Sequence, residues 1–291
     1  MYKEIGRKLT SLTLFTILLA SSVTFAMPGV IPAAEASHNA NLFVSSENSQ
    51  FNNYFAGPQV IEVVVNDNDI KTLDDVHGEP DVTINGKRLH MAQASDGNWY
   101  GYFASRVQAI AADEAVGQEN KGLDFGTFCD PSTASGVFGV SFTDTTGFTV
   151  ARATQVGGTN GTGASVATPF TACTTAGTAA NILQNHVIRE NKTLNTNPAV
   201  PVGQIGLNST AWPVIQLYDF SAGGNVIVKY NKGGGSQTTT LTFDTIPSNL
   251  INVASDRTTY PLGAQVDLTM SDPQLNVDPT DEDSWTWGSN V

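Results

Sequence analysis

Five side chains with oxygen ligands lie close together near the C-terminus: Asp272, Asn276, Asp278, Asp281 and Asp283. Hard cations such as Ca²⁺ take roughly six to eight oxygen ligands from carboxylates, amides and backbone carbonyls. The spacing does not match an EF-hand loop, which needs a central glycine and a terminal glutamate. The stretch therefore predicts a calcium-type site, and the alternative is a solvated acidic linker.

The cysteines of the chain are Cys129 and Cys173. An even number of cysteines in an exported chain favours a disulfide bond. No histidine or cysteine lies at metal-ligand spacing from either residue, which argues against a zinc site. We expect a disulfide between them, with two free thiols as the alternative.

Three N-x-S/T sequons begin at Asn160, Asn191 and Asn208. Such sequons are acceptors for N-glycosylation in secreted proteins. All three fall in segments that the sequence predicts to be loops, where a bulky glycan stays exposed. They are the predicted glycosylation sites.

Catalytic motifs are missing from the sequence. The four histidines are spread singly, without metal-ligand pairing, and no G-x-S-x-G nucleophile motif occurs. We therefore expect a protein that is not an enzyme. A pair of carboxylates for glycoside cleavage depends on the fold and not on sequence spacing, so a secreted hydrolase stays an alternative.

Composition points to an extracellular β protein. Of 291 residues only 14% are charged, the net charge is −13, and glycine occurs 27 times. Low charge content with abundant Thr, Ser, Asn and Val is typical of sheet-forming chains. The acidic balance disfavours nucleic acid and anionic membranes as partners, and it predicts a surface that enriches cations.

Residues 1–36 have the pattern of a secretory signal peptide. A basic start ending at Lys8 is followed by an apolar run over 9–26 and a small-x-small cleavage site ending at Ala36. Cleavage would leave an extracellular protein without membrane insertion. An uncleaved N-terminal anchor is the alternative.

The segment 37–250 predicts a β-rich domain. Residues 59–66 alternate as a strand with Ile61, Val63 and Val65 facing a core. Asn85-Gly86 between two short apolar runs predicts a hairpin with a type I′ turn. The fold class that we predict is all-β, with immunoglobulin-like β-sandwich domains and long loops.

Other segments of this domain leave choices open. The aromatic run over 98–103 predicts a strand that packs in the core, and a carbohydrate-binding platform on Trp99 and Tyr100 is the alternative. Residues 107–116 fit a short helix or a strand with a loop. Three further strands, over 212–218, 225–231 and 237–243, predict a meander.

The segment 251–291 predicts the start of a second immunoglobulin-like domain. A turn at 260–263 precedes a strand with Val266, Leu268 and Met270 on one face. Such a sandwich needs about 100 residues and about seven strands, so this one is incomplete. We expect the chain to be the front of a longer protein, or an early-ending copy, and we expect residues 255–291 to pack poorly without partner strands.

Several stretches together resemble one family, the surface-layer (S-layer) proteins of ammonia-oxidising archaea. They include GRKLTSLTLFTILLASSVTFA at 6–26, GPQVIEVVVNDNDI at 57–70, GEPDVTINGKRLHMAQASDGNWYGYFA at 78–104, VKYNKGGGSQTTTLTFDT at 228–245 and DPTDEDSWTWG at 278–288. The resemblance runs through nearly all of the chain and is weakest over 131–200. It implies a secreted, acidic glycoprotein of tandem immunoglobulin-like domains that tiles the cell surface as a lattice.

The sequence therefore predicts a structural cell-envelope protein whose partners, in its full-length form, are lattice neighbours of the same kind. The alternative from another class is a secreted adhesin or carbohydrate-binding β-module.

Overall fold

The computed structural model describes residues 39–46, 53–114, 123–133, 135–150, 170, 172–173, 187–188 and 190–283. Within them, the strands form three sheets of seven, five and two strands. The predicted signal peptide lies outside the described residues. No described helix is long and apolar enough to cross a membrane.

The elements are numbered here in chain order. The strands are β1 (Leu42–Val44), β2 (Tyr54–Phe55), β3 (Val60–Val65), β4 (Val82–Ile84), β5 (Lys87–Leu89), β6 (Ala92–Gln93), β7 (Trp99–Ser105), β8 (Thr127–Cys129), β9 (Phe148–Val150), β10 (Val214–Tyr218), β11 (Gly224–Tyr230), β12 (Gln237–Phe243), β13 (Asn252–Ser255) and β14 (Leu268–Ser271). Among the described residues the α-helices are α1 (Arg106–Glu114) and α2 (Ser135–Phe138).

The first sheet is built around β3 and β7. Its strand order is β1-β3-β7-β10-β9-β8, and β6 pairs with β7 outside this path. Five of its strand pairs are antiparallel, whereas β7 and β10 pair in parallel. Because parallel strands need a long crossover, α1 and the segments up to β10 lie between them in sequence.

The second sheet has the order β2-β12-β11-β4-β5. The predicted hairpin is confirmed as β4 and β5, and its turn residues Asn85 and Gly86 have φ angles of 50° and 81°. These left-handed conformations are what a type I′ turn requires. The predicted pairing of residues 225–231 with 237–243 is also confirmed, as β11 and β12.

The first strand of the predicted meander, over 212–218, belongs to the other sheet. Residues Val214–Tyr218 form β10, which belongs to the first sheet between β7 and β9. All five side chains of β10 are buried. A strand that is buried on both faces belongs in the centre of a covered sheet, so it does not continue the half-exposed β11–β12 hairpin.

A sandwich core lies between the two sheets, and side chains from both sheets pack in it. Ile61, Val63 and Val65 of β3 are all buried in it, as the alternation predicts. The first sheet adds Leu42, Trp99 and Phe103, and the second adds Val82, Ile84, Leu89, Val226, Val228, Leu241 and Phe243. This packing of sheet on sheet confirms the all-β prediction.

A second core covers the opposite face of the first sheet. Aromatic rings dominate it: Tyr100, Tyr102, Phe125, Phe128, Phe138, Phe142, Phe148 and Trp212. Of the segment 107–116, which the sequence left undecided, the described residues 107–114 are helical and place Ala109 and Ile110 in this core. The first sheet is therefore buried on both faces over much of its area.

The C-terminal part contains a hairpin of its own. β13 pairs antiparallel with β14, with Val253 opposite Met270 and Ser255 opposite Leu268. Every residue of β13 is exposed, and so are Leu268, Thr269 and Met270 of β14. The predicted strand is thus present, and this hairpin is unpacked as expected for a strand pair without partners.

Candidate functional site

The predicted disulfide is present. Cys129 and Cys173 are bonded, with Cα atoms 5.3 Å apart and a separation of 44 positions in sequence. The bond fastens β8 to Cys173. The backbone N–H of Cys173 also donates to Thr133 Oγ1 at 3.3 Å. Closing a loop of this length restricts the unfolded chain and stabilises the fold by about 4 kcal/mol in the entropic account.

The acidic residues near the C-terminus accept hydrogen bonds from their own backbone. Asp272 Oδ1 accepts from the Gln274 N–H at 3.0 Å, at the start of a 3₁₀ turn. Asp278 Oδ1 accepts from the N–H and the hydroxyl of Thr280, at 2.9 and 2.6 Å. These are local caps of the kind that Asp forms in turns.

Two more of the predicted ligands act in the same way. Asp283 Oδ2 accepts from the backbone N–H groups of Val277 and Asp278. Asp281 Oδ1 accepts from the Glu282 N–H at 2.8 Å. Asn276 contributes its backbone carbonyl to a contact with Gln59. Four of the five predicted metal ligands, Asp272, Asp278, Asp281 and Asp283, therefore accept turn-forming hydrogen bonds through their side chains, whereas Asn276 contributes its backbone.

A cation cage is not formed by these side chains in the part of the chain that the structure describes. There, no group of three or more His, Cys, Asp or Glu side chains could hold a metal ion. A Ca²⁺ site needs several oxygens that converge on one point. The calcium hypothesis stays a prediction without a geometric site.

Residues 272–283, which we name the terminal joint, are fastened to the first sheet. Gln59 Nε2 donates to the carbonyls of Pro273 and Asn276, both at 2.7 Å. The Val60 N–H donates to the Val277 carbonyl at 3.1 Å. Val277 is 3% exposed and belongs to the second core. The expectation of poor packing is wrong for this segment, because the body of the protein covers it.

A half-buried acid that sequence analysis did not single out lies near Asp278 of this segment. Glu62 lies opposite Tyr102 in the β3–β7 ladder. Burial raises the pKa of the Glu62 carboxyl, and the nearby carboxylates of Asp278 and Asp96 add to the effect. Burial, together with the charge of Glu62, raises the pKa of Tyr102 well above its usual range. The sequence signal that could have identified Glu62 is its place as the single acid in the apolar strand VIEVVV.

A second group of charges surrounds Glu79. The Glu79 carboxylate lies 3.0 Å from Arg88 Nη2 and 3.1 Å from His90 Nδ1. The His90 ring packs edge-on against Phe142, with ring centroids 5.3 Å apart. His90 Nε2 is buried and has no hydrogen-bond partner among the described residues. Among the described residues, no hydroxyl or thiol is hydrogen-bonded to that nitrogen, as the nucleophile of a catalytic triad would be.

The aromatic run does not form an exposed platform. Trp99 is 0% exposed, and its indole N–H donates to the Ile70 carbonyl at 2.9 Å. Tyr100 is 5% exposed, and its hydroxyl donates to Asp96 Oδ2 at 2.7 Å. Both rings are core residues, so carbohydrate stacking on this strand is excluded.

The sequons differ in their surroundings. Asn160 lies outside the described residues, Asn191 is half-buried, and Asn208 is exposed. Asn208 Oδ1 accepts from the N–H and the hydroxyl of Thr210, at 3.1 and 2.8 Å. Asn208 is therefore the described sequon that best presents its side chain at the surface, and glycosylation itself stays a prediction.

Comparison with known proteins gives no assignment. A scan against protein-family models finds no matching family, and a search of the curated proteins finds no match either.

Proposed function

We propose that this protein is a structural component of the cell envelope, a subunit of an extracellular S-layer. The observation that carries the proposal is the β13–β14 hairpin, which presents an apolar face to solvent. Val253, Leu268 and Met270 are 56, 69 and 45% exposed. An exposed contiguous apolar face in a soluble chain marks a surface that another chain or segment covers. An assembly protein needs such a surface, whereas a monomeric enzyme does not.

The hairpin also supports a second module. In the proposal, residues 37–250 form the N-terminal β domain, and 251–291 hold the opening strands of an immunoglobulin-like domain. The alternation of Val266, Leu268 and Met270 supplies one face of a future sandwich core. The terminal joint follows these strands in sequence and is fastened to the first domain, so it anchors the C-terminal end of the hairpin there.

The immunoglobulin-like description of the first domain is also a proposal. Two sheets that pack face to face over a common core support it. The parallel β7–β10 pair and helix α1 are departures from an immunoglobulin sandwich, whose sheets are antiparallel.

Other features support an extracellular location. A disulfide persists in an oxidising compartment, and Cys129–Cys173 is formed. The net charge of −13 suits a surface that concentrates cations from the medium within about a Debye length, roughly 10 Å at 0.1 M salt. The sequence resemblance to S-layer proteins agrees with these observations. In the proposal, the sequons are glycosylated and neighbouring subunits associate with one another.

The proposal is tested by fractionating cells that express the gene. The detergent-insoluble envelope is isolated, digested and searched by mass spectrometry for peptides from residues 37–291. We expect these peptides to be enriched in the envelope over the cytosolic and membrane fractions. Recovery of the protein mainly from the cytosol would rule the proposal out.

A further inference from the structure

A cavity of about 240 Å³ lies where the start of β3 meets the terminal joint. β1 leads into one side of it through Ser46, and β2 contributes Tyr54. The joint supplies Asp272, Pro273, Asn276 and Pro279. The cavity therefore exists only because the joint packs against the first sheet.

The volume limits what the cavity can hold. Pockets for drug-sized ligands occupy about 300–1,000 Å³. A cavity of about 240 Å³ is smaller, so it suits one small ring with its substituents. An extended peptide or a lipid chain would exceed it.

The lining chemistry limits the ligand further. No Lys, Arg or His side chain is among the described residues that line the cavity, and Asp272 is the single carboxylate. An anion would find no counter-charge there and would be repelled by Asp272. One carboxylate also falls short of the several charged oxygens of a calcium site. A neutral ligand with several hydroxyl groups fits this lining best.

Polar groups are left for such a ligand. Ser46 Oγ is buried and has no hydrogen-bond partner among the described residues. Asp272 uses Oδ1 to cap the following turn, which leaves Oδ2 for a ligand. Buried polar atoms in native proteins are normally paired, so an unpaired hydroxyl in a cavity indicates a missing partner.

Flat apolar surfaces stand beside these groups. Tyr54, Pro273 and Pro279, each of which carries a ring, are among the residues that line the same cavity. A sugar ring has apolar C–H faces and hydroxyl edges, and ligand pockets combine aromatic walls with a few placed polar groups in the same manner. We propose that this cavity binds one ring of a neutral saccharide.

The position of the cavity gives binding a structural consequence. A bound ring contacts both the first domain, through residues such as Ser46 and Tyr54, and the terminal joint. It therefore adds contacts between the first domain and the joint, and occupancy stabilises their packing by mass action. The inference does not depend on the S-layer proposal, because a saccharide site suits any extracellular β protein.

The test uses the full chain and saturation-transfer NMR with glucose, galactose, mannose and N-acetylglucosamine, each titrated separately. Glucuronate serves as the anionic comparison. We expect saturable binding of one or more neutral sugars with a Kd in the millimolar range. Glucuronate should bind at least about tenfold more weakly than the best neutral sugar.

Three variants locate the site. Tyr54→Ala removes the aromatic wall, and Asn276→Ala removes an exposed amide without touching the carbonyl that contacts Gln59. Each should weaken binding about tenfold. Tyr54→Phe keeps the ring and should stay within about threefold of the wild type. Ser95→Ala, an exposed serine outside the cavity, is the matched control and should leave the Kd unchanged.

Three results would overturn the proposal. The first is that no neutral sugar in the panel saturates the protein. The second is that glucuronate binds as tightly as the neutral sugars. The third is that Asn276→Ala, which removes an exposed side chain, leaves the affinity unchanged. Thermal unfolding of each variant shows that a loss of binding does not come from a loss of fold.

Discussion

The side-chain amide of Gln59 donates to the backbone carbonyl of Asn276 at 2.7 Å, across 217 positions of sequence. The same nitrogen donates to the Pro273 carbonyl, and Gln59 Oε1 accepts from the Ala56 N–H at 2.7 Å. One buried glutamine thus satisfies the ends of two loops and fastens the terminal joint to the first sheet.

Gln59→Ala should release the terminal joint while the rest of the fold stays intact. The substitution leaves buried backbone groups unpaired, which costs about 1–3 kcal/mol. Hydrogen–deuterium exchange should show faster exchange over 272–283 and unchanged exchange in β11 and β12. Gln274→Ala, in the joint itself, is the control. Equal protection of 272–283 in Gln59→Ala and wild type would contradict this role.

Removing the disulfide should lower the stability of the first domain. The Cys129→Ser, Cys173→Ser double variant loses about 4 kcal/mol in the entropic account, because its unfolded chain regains the freedom of the loop. Urea unfolding of the oxidised wild type and the double variant measures the difference. A reduced wild type should behave as the variant does. Equal unfolding midpoints for all three samples would show that the bond contributes little.

From the lowered pKa of Asp67 we expect the free energy of unfolding to fall in acid. Burial opposes its ionisation, but hydrogen bonds from Lys232, the Asp69 N–H and Tyr230 outweigh it and hold the pKa below the ordinary 3.8. Because the folded pKa is depressed, ionised Asp67 stabilises the fold above pH 3.8, and this contribution disappears as the pH falls through the folded pKa.

Asp67→Asn should therefore flatten the acid limb of the stability curve, measured by urea unfolding between neutral and strongly acidic pH. Asp69→Asn is the matched control, since Asp69 contacts the same lysine but its side chain is 78% exposed. An exposed ion pair contributes little. If the stability of both variants followed the wild-type dependence on pH in acid, Asp67 and its hydrogen bonds to Lys232 and Tyr230 would not be its source.

Some of this structure could be predicted from local sequence because the signals are local. The alternation of Ile61, Val63 and Val65 specifies a strand and its buried face, and Asn85-Gly86 specifies a turn. The disulfide followed from an even cysteine pair. The strand and the turn are specified by residues within a short stretch. For the disulfide, the chain has two cysteines, so only one pairing is possible.

Other features could not be predicted because their causes are distant in sequence. Nothing near Val214–Tyr218 indicates that β10 pairs in parallel with β7, more than a hundred positions earlier. Nothing near Gln59 indicates that its amide contacts Asn276. The metal-ligand prediction for the acidic residues from Asp272 to Asp283 rests on residue type, and Asp supplies the same oxygens to cations and to turn N–H groups, so only geometry separates the two roles.

Polar substitution on the hairpin should reduce self-association without unfolding the protein. Leu268→Thr and Met270→Thr replace exposed side chains, so the free energy of unfolding should change by less than about 0.5 kcal/mol. Sedimentation velocity should show less oligomer than for the wild type at equal concentration. Ile227→Thr, an exposed position on β11, is the control. Association that is equal in all four proteins, or a wild type that stays monomeric, would remove the hairpin from the assembly interface.

The most direct test of the central claim is where the protein lies on intact cells. Antibodies raised against residues 37–291 are applied with immunogold labelling to cells that express the gene, with and without permeabilisation. An S-layer subunit predicts dense label over the entire surface of intact cells, with little gain after permeabilisation. Label that is absent from intact cells and present only inside permeabilised ones would contradict the account.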